Sequence, residues 1–160
     1  KLANIIIADK KNDIAIIKVN QALGPIPYGI DSQSLSVADE VFALGYPLRA
    51  SMGDELKYTR GDISSKSGFQ GDVTAYQQTI PVHSGNSGGP MFSLNGCVSG
   101  IITSKHRFAE NTSYSIKSKY LINLLQEKNI YFKTSCELKN EKISEKVTKL
   151  KKYIYIIEVE

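Results

Sequence analysis

Residues 81–90 read PVHSGNSGGP: three glycines crowd one serine, Ser87, and a proline closes the run. A tight turn accounts for part of this, because glycine reaches positive φ freely and asparagine tolerates it. Nucleophilic catalysis accounts for more. A serine that attacks a carbonyl must project its Oγ from a cramped corner, with backbone N–H groups aimed at the oxyanion that develops. Here the amides of Gly85 and Ser87 would be those donors, and Gly88 and Gly89 would leave a substrate chain room to approach.

The run also fits the Gly-x-Ser-x-Gly nucleophile elbow, which needs a following helix and then an acid and a histidine downstream of the serine. The histidine after Ser87 is His106, no Asp or Glu lies between the two, and Gly89-Pro90 leads into strand-like residues. Order and context exclude that elbow.

Outward from the loop, the first 115 residues read as short strands between turn residues. ANIIIA is a short apolar run and NDIAIIKV alternates, whereas two prolines make GPIPYG a loop. DEVFALGYP, KYTRGDISS, TAYQQTIPV, CVSGIITSK and TSYSIKS follow as further strands. Many short strands at even spacing predict an all-β sandwich or barrel. KSKYLINLLQEKN then spaces Tyr120, Leu121, Leu124 and Leu125 as a helix, with Ser118 as its N-cap. NEKISEKVTKLKKY aligns Ile143, Val147 and Leu150 on a second helix, and YIYIIEVE has the β-propensity of a terminal strand that needs a partner.

The chain has 160 residues, of which 41% are hydrophobic and 22% charged, which describes one ordinary globular domain or a domain with a tail. No uncharged run is long enough for a membrane span. The formal charge of +4 is mild, and the densest basic run, Lys146 to Lys152, is interleaved with Val147 and Leu150 as a solvated helix face would be. That distribution argues against a nucleic-acid partner. Cys97 and Cys136 are too few for a disulfide framework and lack metal-ligand spacing, so their pairing stays open.

Asp13 opens NDIAIIKV well upstream of Ser87, so an acid precedes the serine. Together NDIAIIKV, VFALGYP, TRGDISS, YQQTIPVHSGNSGGPMF, NGCVSGIITS and NTSYSIKSKYLINLL resemble, in order and at compatible spacing, the trypsin-like serine proteases. The resemblance runs from about Ala3 to Leu125 and is closer to their bacterial, HtrA-related branch. It implies an all-β, chymotrypsin-like double β-barrel that hydrolyses peptide bonds through an acyl-enzyme, without metal or cofactor. Ser87 aligns with the nucleophile, Asp13 with the acid that orients the catalytic histidine, and Gly85 and Ser87 with the oxyanion-hole amides. Val82, His83 and Ser84 precede the nucleophile at the pocket, and Gly100, Ile101, Ile102 and Thr103 lie on the strand that pairs with substrate. Tyr114 and Ser115 form one pocket wall. With Pro81 at the pocket base and apolar neighbours, the residue before the cut should be a small or medium aliphatic one.

The sequence departs from the family at one point. The catalytic histidine should precede Asp13, and the twelve residues there contain none. His83 is tied to the loop that presents Ser87, and His106 reads as a loop residue, so neither suits the base. The expectation is a fragment of a longer protease, inactive alone. The alternative is a non-catalytic pseudoprotease that binds peptides by strand addition. The predicted organisation is a first-barrel remnant over 1–30, a second barrel over 31–117, a closing helix over 118–133, and a tail or start of another module over 134–160. The partner is a polypeptide substrate. Exposed strand edges or the tail would support a homo-oligomer, and the resemblance implies a periplasmic, cell-surface or secreted location.

Overall fold

The computed structural model describes residues 3–48, 51, 53–105 and 111–158. Strands β1 (Ala3–Asp9) and β2 (Ile14–Val19) pair antiparallel as a separate hairpin, with Ala3 opposite Val19 and a bulge between Ile5 and Ile7. Six more strands follow: β3 (Glu40–Gly45), β4 (Lys57–Ser65), β5 (Ala75–Gln78), β6 (Pro90–Ser93), β7 (Val98–Lys105) and β8 (Ser113–Lys117). They close into an antiparallel barrel in the order β3-β4-β5-β8-β7-β6. Closure pairs every strand on both sides and so removes the exposed edges of an open sheet.

The unbroken apolar run of β3 follows from its place in that barrel. Successive side chains leave a strand on opposite faces, and here both faces are covered. Val41 and Ala43 pack with Ile63, Tyr76, Ile80, Val82, Met91 and Ile102 inside the barrel. Phe42 and Leu44 pack outside with Phe92 and Val98, the two phenylalanine rings stacked with centroids 5.2 Å apart.

Helix α1 (Ser118–Glu127) lays Leu124, Tyr120 and Leu121 against Ala75 and Ile116 of the barrel and Ile7, Ile14 and Ile16 of the hairpin. That contact attaches the hairpin to the barrel. Ser118 is not the N-cap: Lys117 takes that position, and the Ser118 hydroxyl donates instead to the Asp31 carbonyl at 2.6 Å. The longer-range acceptor competes successfully because the barrel brings the 29–31 segment against β7, where Asp31 N–H bonds to Val98 O.

The tail returns to the barrel of its own chain. Ile30 N–H bonds to Lys133 O, the Tyr153 hydroxyl donates to Pro25 O, and a Cβ on Gly29 would meet Ser135 O at 2.5 Å. Helix α2 (Ile143–Leu150) buries Leu150 completely, and Leu138 is 3% exposed in the same outer cluster. Each such leucine contributes roughly 2 kcal/mol of apolar burial. Cys97 and Cys136 form a disulfide that ties this tail to β7.

Two expectations for the tail are corrected. Lys146 is not on a solvated face: it is 4% exposed, and its Nζ donates to the carbonyls of Leu94 and Lys139. The flexible stem lets one ammonium reach both the Leu94 carbonyl of the β6–β7 turn and the Lys139 carbonyl of the tail. The terminal strand is also absent, since residues 154–158 form no strand pairing. The closed barrel offers those residues no edge.

Candidate active site

The nucleophile loop is held between the β3–β4 turn and β7. Gly85 adopts φ +99°, and a Cβ there would meet the Tyr46 carbonyl at 2.6 Å. Glycine is therefore required twice over, by conformation and by space. The Leu48 N–H bonds to Ser84 O at 2.9 Å, so the same turn also fixes the residue before Gly85. The Asn86 side chain is buried under Gly45, where an added Cβ would lie 2.5 Å from its Oδ1.

On the other side, Gly88 N–H bonds to Ile102 O at 2.7 Å and Ile102 N–H to Gly89 O at 2.9 Å. These bonds present Ser87 at the surface, exposed, with its Oγ donating to the Thr103 carbonyl at 3.0 Å. Among the described residues neither the Gly85 nor the Ser87 amide donates a hydrogen bond. Two adjacent unengaged N–H groups beside a hydroxyl can bind an anion or an oxyanion.

The other candidate residues divide. Val82 and Ile102 point into the barrel core. Ile101 packs against the outer cluster, so its side chain faces away from that interior. Gly100 pairs with Met91 and Lys117, and a Cβ there would meet Ile116 O at 2.9 Å. Tyr114 is 6% exposed, pairs with Gln77, and meets the Phe69 ring edge-on at 6.3 Å between centroids. The Ser115 hydroxyl accepts from Gln78 Nε2 at 2.8 Å. His83 is half-buried and its carbonyl accepts from Asn86 N–H, which closes the turn before Ser87. Asp13 stands exposed at the hairpin tip with φ +54°, and among the described residues its carboxylate has no hydrogen-bond partner. His106 lies outside the described residues. No group of three or more His, Cys, Asp or Glu side chains converges as a metal site among the described residues.

Three features of the site were not read from the sequence: the Tyr46 carbonyl under Gly85, the Gly45 seat for Asn86, and the contact between Phe69 and Tyr114. The Gly-Tyr-Pro turn and the glycines flanking Phe69 were the available signals.

A family profile described as trypsin-like peptidase domain matches residues 2–101, which is most of the chain. This chain belongs to the trypsin-like peptidase domain family. Within the family it is HtrA-related: it is 33% identical over 102 residues to a probable periplasmic serine endoprotease, DegP-like, of Pseudomonas putida, covering 62% of this chain and 20% of that protein. A DegP-like homologue of Rickettsia prowazekii is 37% identical over 111 residues, covering 64% of this chain and 21% of the relative. Among solved structures, the serine endoprotease of Yersinia pestis superposes with a TM-score of 0.63 at 26% identity, covering 80% of this chain and 44% of that one. Rv3671c of Mycobacterium tuberculosis, as an inactive serine-to-alanine form, gives 0.63 at 25%, covering 78% and 63%. The trypsin-like chain spans about a fifth of the length of these two curated relatives. The mostly-β barrel with its C-terminal helix is the fold that these proteases share.

Proposed function

We propose that this chain carries the nucleophile half of a serine endopeptidase that cleaves peptide bonds through an acyl-enzyme. The carrying observation is the exposed Ser87 hydroxyl, bonded to Thr103 O at 3.0 Å, beside the undonated Gly85 and Ser87 amides. In this reading Ser87 Oγ attacks the scissile carbonyl, its proton passes to a histidine base, and the oxyanion rests on the two amides. Protonation of the leaving amine by the imidazolium releases the first product, and water then hydrolyses the ester.

Asp13, at the tip of the β1–β2 hairpin, orients that histidine, and the hairpin is the remnant of a first barrel. We assign the base to a histidine on a segment N-terminal to Asp13, because His83 is committed to the loop that presents Ser87. The polypeptide substrate enters along β7 with an aliphatic residue before the cut. The Cys97–Cys136 disulfide and the periplasmic DegP-like relatives support an extracytoplasmic site of action.

The test is fluorophosphonate labelling of the longest natural chain that contains these residues, read by intact mass. One adduct, absent from Ser87→Ala, is the expected result. A folded parent chain that forms no adduct would replace the protease by a peptide-binding pseudoprotease.

A further inference from the structure

Lys117 is the last residue of β8 and 9% exposed. A buried ammonium ordinarily sits against a carboxylate, but this one is held by backbone. Its Nζ donates to the carbonyls of Lys66 at 2.6 Å and Val73 at 2.7 Å, and lies 5.0 Å from the centre of the Tyr76 ring. Burial pushes its pKa down, Lys119 adds to that, and Asp72 opposes it. The chain thus keeps a charge where a charge is disfavoured, for the sake of two particular acceptors.

Those acceptors are the two ends of one loop. Residues 66–74 connect β4 to β5, and a single ammonium bonded to Lys66 O and Val73 O closes that connection across its base. Between the ends, Ser67 N–H bonds back to Ser65 Oγ of β4 at 3.1 Å, and the loop braces itself through Gly68 N–H to Asp72 O at 2.7 Å and Asp72 N–H to Phe69 O at 3.1 Å, with Gln70 and Gly71 both at positive φ. Gly68 is pressed against Ala75, with no space for a Cβ. The loop therefore has one shape, and that shape carries the half-exposed Phe69 ring to the edge of Tyr114.

We propose that Lys117 is a positioning residue that holds the loop of residues 66–73 shut, and that Phe69, fixed in this way beside Tyr114, is a specificity-determining wall for an apolar substrate side chain. The proposal rests on the reading of Tyr114 as a pocket wall. A substrate whose residue before the cut is leucine-like can bury methyl groups against the Phe69–Tyr114 pair, whereas a charged residue there would lose hydration without a partner.

The test uses the full natural chain in a Ser87→Ala background, so that binding is read without turnover. Dye-labelled, product-like peptides ending in Leu, Val, Lys or Asp are titrated by anisotropy against Lys117→Met, Lys117→Arg and Phe69→Ala variants. Hydrogen exchange of residues 67–72 and of helix α2 is measured on the same proteins. Lys117→Met should speed exchange in residues 67–72 about tenfold and leave α2 unchanged. Lys117→Met and Phe69→Ala should each weaken the Leu peptide about tenfold and leave the Lys and Asp peptides unchanged. Arginine, which also donates to two carbonyls, should restore both readouts. Unaltered loop exchange in Lys117→Met, or loosening throughout the protein, would overturn the positioning role. A loosened loop with unchanged Leu binding, or no discrimination among the peptides, would overturn the specificity role. Loss of the fluorophosphonate adduct in the Ser87 parent would remove the protease reading alone and leave these binding results standing.

Discussion

At Gly85 one backbone atom joins the turn after β3 to the chemistry of the nucleophile loop. Its φ of +99° and the Tyr46 carbonyl 2.6 Å from any Cβ make Gly85→Ala a strained substitution. It should cost about 1–3 kcal/mol of stability and, by moving the donor N–H, slow fluorophosphonate labelling of the parent chain by about 10²-fold. Chemical denaturation and labelling rates on one preparation would check both figures. Gly88→Ala is the control: φ is +80° but the space is open, so only the conformational cost of about 1 kcal/mol should appear. A labelling rate equal for both variants would show that the Tyr46 contact does not position the amide. The glycines of GNSGG were legible as turn residues from their spacing. The reason Gly85 in particular is needed was not, because Tyr46 reaches it only through the folded barrel.

At the scale of elements, short polar contacts shape the loops and apolar faces dock the helices. The Asp72 carboxylate accepts the Thr74 N–H at 2.8 Å and the Thr74 hydroxyl at 2.7 Å, and these bonds hold its pKa below the usual carboxylate value. A depressed folded pKa means stability that is present at neutral pH and lost as pH falls through that lowered pKa. Asp72→Asn should therefore lower Tm at pH 7, and the gap to the parent should narrow toward zero as pH falls through the lowered pKa of Asp72. A gap independent of pH across thermal melts would refute this. The tail helix makes a packing prediction. Leu150 is wholly buried between α2 and the outer face of the barrel, so Leu150→Ala should cost about 2–5 kcal/mol in urea denaturation. A cost within the range of surface substitutions would mean that the tail is undocked in solution. The 143–147–150 stripe made that helix legible. The burial of Lys146 is not legible in that stripe, because nothing in local sequence reveals the Leu94 carbonyl that its ammonium meets.

Across the whole molecule, the disulfide and the hairpin decide how the parts hold together. The Cys97–Cys136 link closes 39 residues of chain that include β8 and α1. On loop-entropy grounds, Cys97→Ser with Cys136→Ser should lose about 3–4 kcal/mol of stability. Free-thiol titration of the unfolded, unreduced protein should find none, and recovery of two thiols would show that the bond does not form. The hairpin behaves differently: one side is fastened by Ile14 to Ile116 and Leu124, while Ile5 stays 70% exposed and Ile17 37%. Exposed apolar residues on a two-stranded sheet mark a face that another segment can cover.

Local sequence was sufficient for whatever depends on alternation and turn chemistry: the short strands, the two helices, and a serine set among glycines with an acid upstream. These follow from side-chain periodicity and backbone freedom, which neighbouring residues specify by themselves. Tertiary structure alone decided the closure of β3 onto both β4 and β6, the pairing of Cys97 with Cys136, the burial of Lys117 and Lys146, and the close neighbours of Gly45 and Gly85. Each of those is a contact between residues far apart in the chain. Its energy depends on which groups the closed barrel leaves unpaired, and no local pattern encodes that.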